Sequence, residues 1–233
     1  MPEPLLLVPG LMCTADLFAP QIEAFAGTCE VIVAEHTRRN DMTEIARQIL
    51  ADAPERFALA GLSMGVYLSL EIVSQAPERV TRLALLDGKA RPDTPEQTAA
   101  RHSLLALADE GRFLEITTDI LLSRLVAPGK GADPGLRETI IKMAKDTGEA
   151  AFRRQIAAII NRRDYLPVLE SVNCPALVLT GLLDAITPAE CAREMAGLIA
   201  NAQLTLLTGC GHLSTLEAPR EVNAAMHNWL HNM

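Results

Sequence analysis

Five consecutive residues, Gly61-Leu62-Ser63-Met64-Gly65, have the types and spacing for covalent chemistry on a serine hydroxyl. They follow an apolar run, Phe57 to Ala60, and precede a segment of helical period from Val66 to Gln75. A sharp strand-to-helix turn exposes the serine oxygen but strains its backbone, so the positions two before and two after must carry no side chain that would collide. Gly61 and Gly65 meet that need. The five residues alone arise by chance in roughly 5% of chains of this length. It is the flanking strand and helix that separate a candidate nucleophile from an ordinary surface turn.

A serine hydroxyl is a weak nucleophile at neutral pH and needs a base within hydrogen-bond reach, with a third group to orient that base. His212 is the candidate base, because Gly209-Cys210-Gly211-His212 forms a glycine-rich loop just after the apolar run Leu204 to Leu207. Ligand chemistry in open α/β sheets gathers at such C-terminal strand ends. His36 and His102 lack this setting. His227 and His231 are spaced i, i+4, but Asn228 stands where a zinc-binding H-E-x-x-H helix needs glutamate.

Two acids compete for the third role. Asp184 follows the run Ala176 to Thr180, and Asp87 follows Leu83 to Leu86, so both lie at strand ends. Asp184 is preferred, with Asp87 as the alternative acid; Thr187 is expected to cap the helix that opens at Pro188 and so frees Asp184 from capping. A tetrahedral intermediate also needs backbone donors. One is expected from the N–H of Met64 and the other from the loop Pro9-Gly10-Leu11-Met12.

The elements that must position these residues read as β-α-β-α wiring. Leu5 to Val8, Val31 to Ala34, Phe57 to Ala60 and Leu83 to Leu86 are apolar runs of strand length, and Asp16 to Ala26, Met42 to Ala51 and Val66 to Gln75 suit crossover helices. Residues 90–166 break the pattern with helix-like stretches punctuated by Pro92, Pro95, Gly111, Pro128-Gly129 and Pro134-Gly135. Alternation resumes with Ala176 to Thr180, Pro188 to Ile199, Leu204 to Leu207 and Glu221 to Leu230. The expected organisation is an α/β core of residues 1–89 and 167–233, interrupted by a helical lid of residues 90–166.

With 233 residues, the chain can bury one sizeable core. Its 49% apolar and 21% charged residues are ordinary for a globular protein, while 3% aromatics make the core aliphatic. A net charge of −8 offers no attraction to nucleic acid or an anionic membrane. No apolar run approaches the roughly 20 residues of a membrane span. The five scattered cysteines form no C-x-x-C pair and read as buried free thiols. With no secretory signal pattern at the N-terminus, a cytoplasmic location is the expectation. The oligomeric state stays open.

The chain as a whole resembles the α/β-hydrolase superfamily, in particular its small carboxylesterase-like and enol-lactonase-like members. The resemblance rests on LLLVPGL, on ALAGLSMGVYLSLEIVSQAPERVTRLALLD, and on CPALVLTGLLDAITP followed by GCGHLSTLEAPREVNAAMHNWL. The chain order Ser63, Asp184, His212 is the one that arrangement uses. The resemblance implies a mostly parallel sheet of about six strands, helices on both faces and a helical cap. It further implies Ser63 as nucleophile, Asp184 as acid, His212 as base, and the amides of Leu11 and Met64 as the oxyanion hole. One departure is Pro9-Gly10, where relatives usually carry His-Gly. The implied activity is hydrolysis of a small, mostly apolar ester or lactone, with no metal or organic cofactor. Relatives of this fold also include C–C bond hydrolases, lyases and cofactor-free perhydrolases, and a non-catalytic ligand receptor is the reading from another class.

Overall fold

A computed structural model describes residues 3–232. Six strands form one sheet in the order β2-β1-β3-β4-β5-β6: β1 Leu5–Val8, β2 Val31–Val33, β3 Phe57–Leu62, β4 Val80–Leu86, β5 Ala176–Gly181 and β6 Ala202–Leu207. Every pairing is parallel. The four inner strands are buried almost throughout, as expected when helices cover both faces of a parallel sheet.

Alternate residues of each strand feed opposite layers. Leu6, Val8, Leu59, Leu83, Leu85 and Val178 pack beneath α2 Met42–Asp52 and α3 Met64–Gln75. Leu5, Leu7, Ala58, Ala60, Leu177 and Leu179 face the other layer, which includes α1 Ala19–Phe25. The first predicted helix is split, because Pro20 is tolerated only in the first turn of an α-helix and so stands at the start of α1. A 3₁₀ turn at Ala15–Phe18, capped by Thr14, therefore precedes α1.

Residues 90–166 contain helices and no strand. Here lie α4 Pro95–Asp109, α5 Phe113–Glu115, a π-helical turn at Ile116–Leu121, α6 Leu122–Leu125, α7 Pro134–Thr147 and α8 Glu149–Ile160. Pro95 and Pro134 open helices rather than break them, since the first helical position has no N–H bond to lose. Thr94 and Gln97 form a reciprocal capping box at α4. Phe113, Ile116, Ala144, Phe152 and Ile156 make a separate cluster that meets the loop after β1 through Met12 and the partly buried Leu11.

The core then continues through α9 Leu166–Glu170, α10 Ala189–Leu198, α11 Ser214–Glu217 and α12 Pro219–Asn232. The chain runs outward from β1 to β2 and returns to β3 on the other side of β1. The crevice between the C-terminal ends of β1 and β3 is thus the switch point at which open α/β sheets bind ligands. The Gly10–Met12 loop and Ser63 both stand there.

Candidate active site

Ser63 links β3 to α3 with φ 58° and ψ −111°, a region that a residue with a side chain enters only at a cost. Both neighbouring glycines are required by space. A Cβ on Gly65 would overlap the carbonyl of Val8, and one on Gly61 would overlap the backbone of Gly65. The turn is held from below by the Ser63 N–H donating to the Leu86 carbonyl at 3.0 Å.

His212 lies with Nε2 2.8 Å from the Ser63 Oγ and Nδ1 2.7 Å from Asp184 Oδ2. Asp184 is anchored in turn: its Oδ1 accepts the N–H groups of Ile186 and Thr187 at 2.7 and 2.9 Å, and its Oδ2 accepts the Thr187 hydroxyl at 2.7 Å. The expected capping role of Thr187 is therefore corrected. Its hydroxyl turns inward to the Asp184–His212 pair, 3.3 Å from Nδ1, and α10 starts with no side-chain cap. Serine, imidazole and carboxylate form one hydrogen-bonded line, the geometry by which a base activates a hydroxyl.

Asp87 does not reach the imidazole nitrogen. Its fully buried carboxylate accepts the N–H of Gly181 at 3.1 Å and both the N–H and the hydroxyl of Ser214, tying the ends of β4 and β5 to the segment after His212. The two acids titrate in opposite directions. Burial pushes Asp87 up to about 7, with the charge of Asp184 adding to the rise and His212 opposing it. For Asp184, burial acts upward too, but the charge and hydrogen bond of His212, with the bonds from Thr187, hold it below the ordinary carboxylate range. In His212, burial favours the neutral ring, yet Asp184 outweighs it and the imidazole sits above its usual value.

Across the crevice, the N–H of Leu11 has no acceptor among the described residues. Met64 opens α3, where first-turn N–H groups lack an intrahelical acceptor. Leu11, Met64 and Ser63 line the same crevice. More distant groups touch the loop that carries the Pro9-Gly10 departure. His36 Nε2 lies 3.1 Å from the Gly10 carbonyl, and Gln155 of α8 accepts the Met12 N–H through Oε1 at 3.1 Å while its amide nitrogen lies 3.1 Å from His36 Nε2. Met12, whose N–H makes this bond, has a positive φ of 54°.

The loop carrying His212 hangs from the helical insert. The N–H groups of His212 and Leu213 both donate to the Leu125 carbonyl, at 3.1 and 3.0 Å. Buried Glu217 accepts from Gly211 N and Ala127 N at 3.0 and 2.8 Å, bridging the loop to the residues after α6. A cavity of about 280 Å³ opens on Ser63 and His212 and is walled by Leu11, Tyr67, Leu104, Leu121, Ile140 and Met143, with Lys89 and Arg101 at one corner.

Gln155 and Glu217 stand in no motif, while His36 reads only as a histidine without a base's setting and Thr187 only as a helix cap, because the partners of all four are set by the fold. Of the other histidines, His102 is exposed on α4 and His227 packs edge-on to His231 on α12. The thiols divide: Cys13 and Cys210 are buried, whereas Cys29, Cys174 and Cys191 are half-buried, a correction to the expectation that all five are buried. No helix among the described residues is long and apolar enough to cross a membrane.

The profile of the alpha/beta hydrolase family matches residues 5–225, and the chain belongs to that family. It is 25% identical to the (E)-2-((N-methylformamido)methylene)succinate hydrolase of Acinetobacter baylyi, over 98% of this chain and 90% of that one. Among solved structures it is similar to a thermophilic esterase from Thermogutta terrifontis, with TM-score 0.87, 25% identity, and 98% and 89% of the two chains covered. It shares its fold with the enol-lactonase from Burkholderia xenovorans LB400, with TM-score 0.85, 22% identity, and 99% and 92% covered.

Proposed function

We propose that this hydrolase-family chain is a serine hydrolase that cleaves a small, mostly apolar carboxylic ester or lactone through an acyl-enzyme. The observation that carries the reading is the continuous line from Ser63 Oγ through His212 to Asp184, at 2.8 and 2.7 Å, opening on an apolar cavity. Ser63 Oγ attacks the carbonyl carbon as its proton passes to His212 Nε2. Asp184 holds Nδ1–H and stabilises the imidazolium. The N–H groups of Leu11 and Met64 receive the developing oxyanion, a contribution of about 10² to 10³ in rate per donor. Collapse of the tetrahedral adduct breaks the ester C–O bond, and the leaving oxygen takes the proton from His212. Water, activated by the same imidazole, then releases the acid and restores Ser63.

Residues 90–166 act in this reading as a lid that walls the acyl pocket and exposes an aliphatic surface to the substrate. The similarity to an esterase supports acyl transfer to water as the reaction. The test is a fluorophosphonate probe on folded protein, followed by peptide mapping. Labelling at Ser63, together with loss of turnover by roughly 10⁴ or more in Ser63→Ala, is the expected result. Undiminished ester turnover in that variant would remove the mechanism.

A further inference from the structure

The corner of the cavity nearest α4 carries more positive charge than its neighbours neutralise. Asp93 is buried between three cations: its Oδ1 receives Arg162 Nη2 at 2.8 Å and faces Lys89 Nζ at 3.3 Å, and its Oδ2 receives Arg101 Nε. The two arginines hold the Asp93 carboxyl far below its ordinary range against the upward push of burial. Arg162 is enclosed behind this corner, stacked 4.1 Å over the ring of Tyr67, one turn along α3 from Ser63. Lys89 spends its remaining hydrogens on the Pro92 carbonyl and on Gln97 Oε1, at 3.3 and 2.6 Å.

Arg101 differs from both. It is tied only through Nε, so its two terminal nitrogens have no protein partner among the described residues, and its side chain lines the same cavity as Ser63. The one other carboxylate on this wall, Glu96, is exposed and held down by the Thr94 hydroxyl and its own backbone N–H at the start of α4. A half-buried guanidinium whose Nε edge is fixed and whose outer fork is open suits a planar, two-oxygen anion.

Building on the proposed acyl transfer at Ser63, we infer that Arg101 binds a carboxylate on the substrate, remote from the bond that is cleaved. The substrate class is then a half-ester, or a lactone bearing an acid group, with its short apolar chain along the leucine and methionine wall. Asp93 positions Arg101, and Lys89 and Arg162 beside Asp93 supply the excess charge that the substrate carboxylate balances. The alternative role for this cluster is purely structural, as a clamp on the chain entering and leaving the helical insert.

The test compares monoethyl with diethyl esters of succinate, glutarate and adipate, which share acyl chains and differ in one free carboxylate. At the best chain length, kcat/KM should favour the monoester by roughly tenfold or more, the scale of one charge-assisted hydrogen bond. Arg101→Met should raise KM for the monoester and collapse that ratio to about one, and Arg101→Lys should restore part of it. A clamp would instead lower turnover of both ester series together and lower Tm, leaving the ratio unchanged. Diesters preferred at every length, or a ratio unmoved by Arg101→Met, overturns the inference while Ser63 remains labelled by the fluorophosphonate. Loss of Ser63 labelling and of Ser63-dependent turnover in both series would instead strike the proposed mechanism itself.

Discussion

The loops at the C-terminal edge of the sheet and the helical insert above them are built on different principles. At the sheet edge, geometry is local: Asp184 is anchored by Ile186 and Thr187 within three residues, and the strained turn at Ser63 is given room by the glycines two positions away. Across the crevice, geometry is remote. Met12 is held by Gln155, 143 residues along the chain, and the loop of His212 hangs on the carbonyl of Leu125. The contrast teaches that the proposed chemistry is carried by short segments, each recognisable alone, whereas the pocket depends on contacts that exist only once the insert has docked.

This contrast can be broken at its local end first. Asp184→Asn should lower kcat/KM by roughly 10³ to 10⁴, because the carboxylate that orients Nδ1–H is lost, while Asp87→Asn should cost no more than about tenfold. Parallel steady-state assays decide it, and equal losses would mean that the two acids share the role. At the remote end, Gln155→Leu removes the acceptor of Met12 N and loosens the proposed oxyanion loop. A fall of about tenfold in kcat with little change in KM is expected, read from the same assays.

Asp87→Ala sharpens the distinction between holding and reacting. It strands the N–H groups of Gly181 and Ser214 without an acceptor, a loss of about 2–3 kcal/mol, so thermal unfolding should show Tm lower by roughly 5–10 °C. Activity below the transition should fall only a few-fold. The smallest effect is in the pH profile. The proposed mechanism needs neutral His212, whose pKa lies above the usual imidazole value because Asp184 outweighs burial. The rising limb of kcat/KM should therefore be centred above about pH 6.5, and a limb below that would show His212 to be free of its acid in the working enzyme.

Much of the sheet was legible because its strands are buried on both faces, so Leu5 to Val8 and Ala176 to Leu179 read as unbroken apolar runs. The ends were less so. β4 begins at Val80 although Thr81 and Arg82 interrupt the apolar run, because backbone pairing with β3 persists where side chains reach the edge of the core. The insert yielded its helical character from its prolines and caps, but its π-turn at Ile116–Leu121 and its docking against Met12 followed no local signal.

What the sequence by itself determined was the family, the parallel sheet and the candidates Ser63, His212 and Asp184, since a strained elbow and loops at strand ends impose residue types on short segments. What only the tertiary structure decided was which of two strand-end acids meets His212, how a Pro-Gly loop is braced by His36 and Gln155, and where Arg101 turns its open fork. Those outcomes depend on angstrom-scale distances between residues far apart in the chain, which helix docking sets and periodicity does not record.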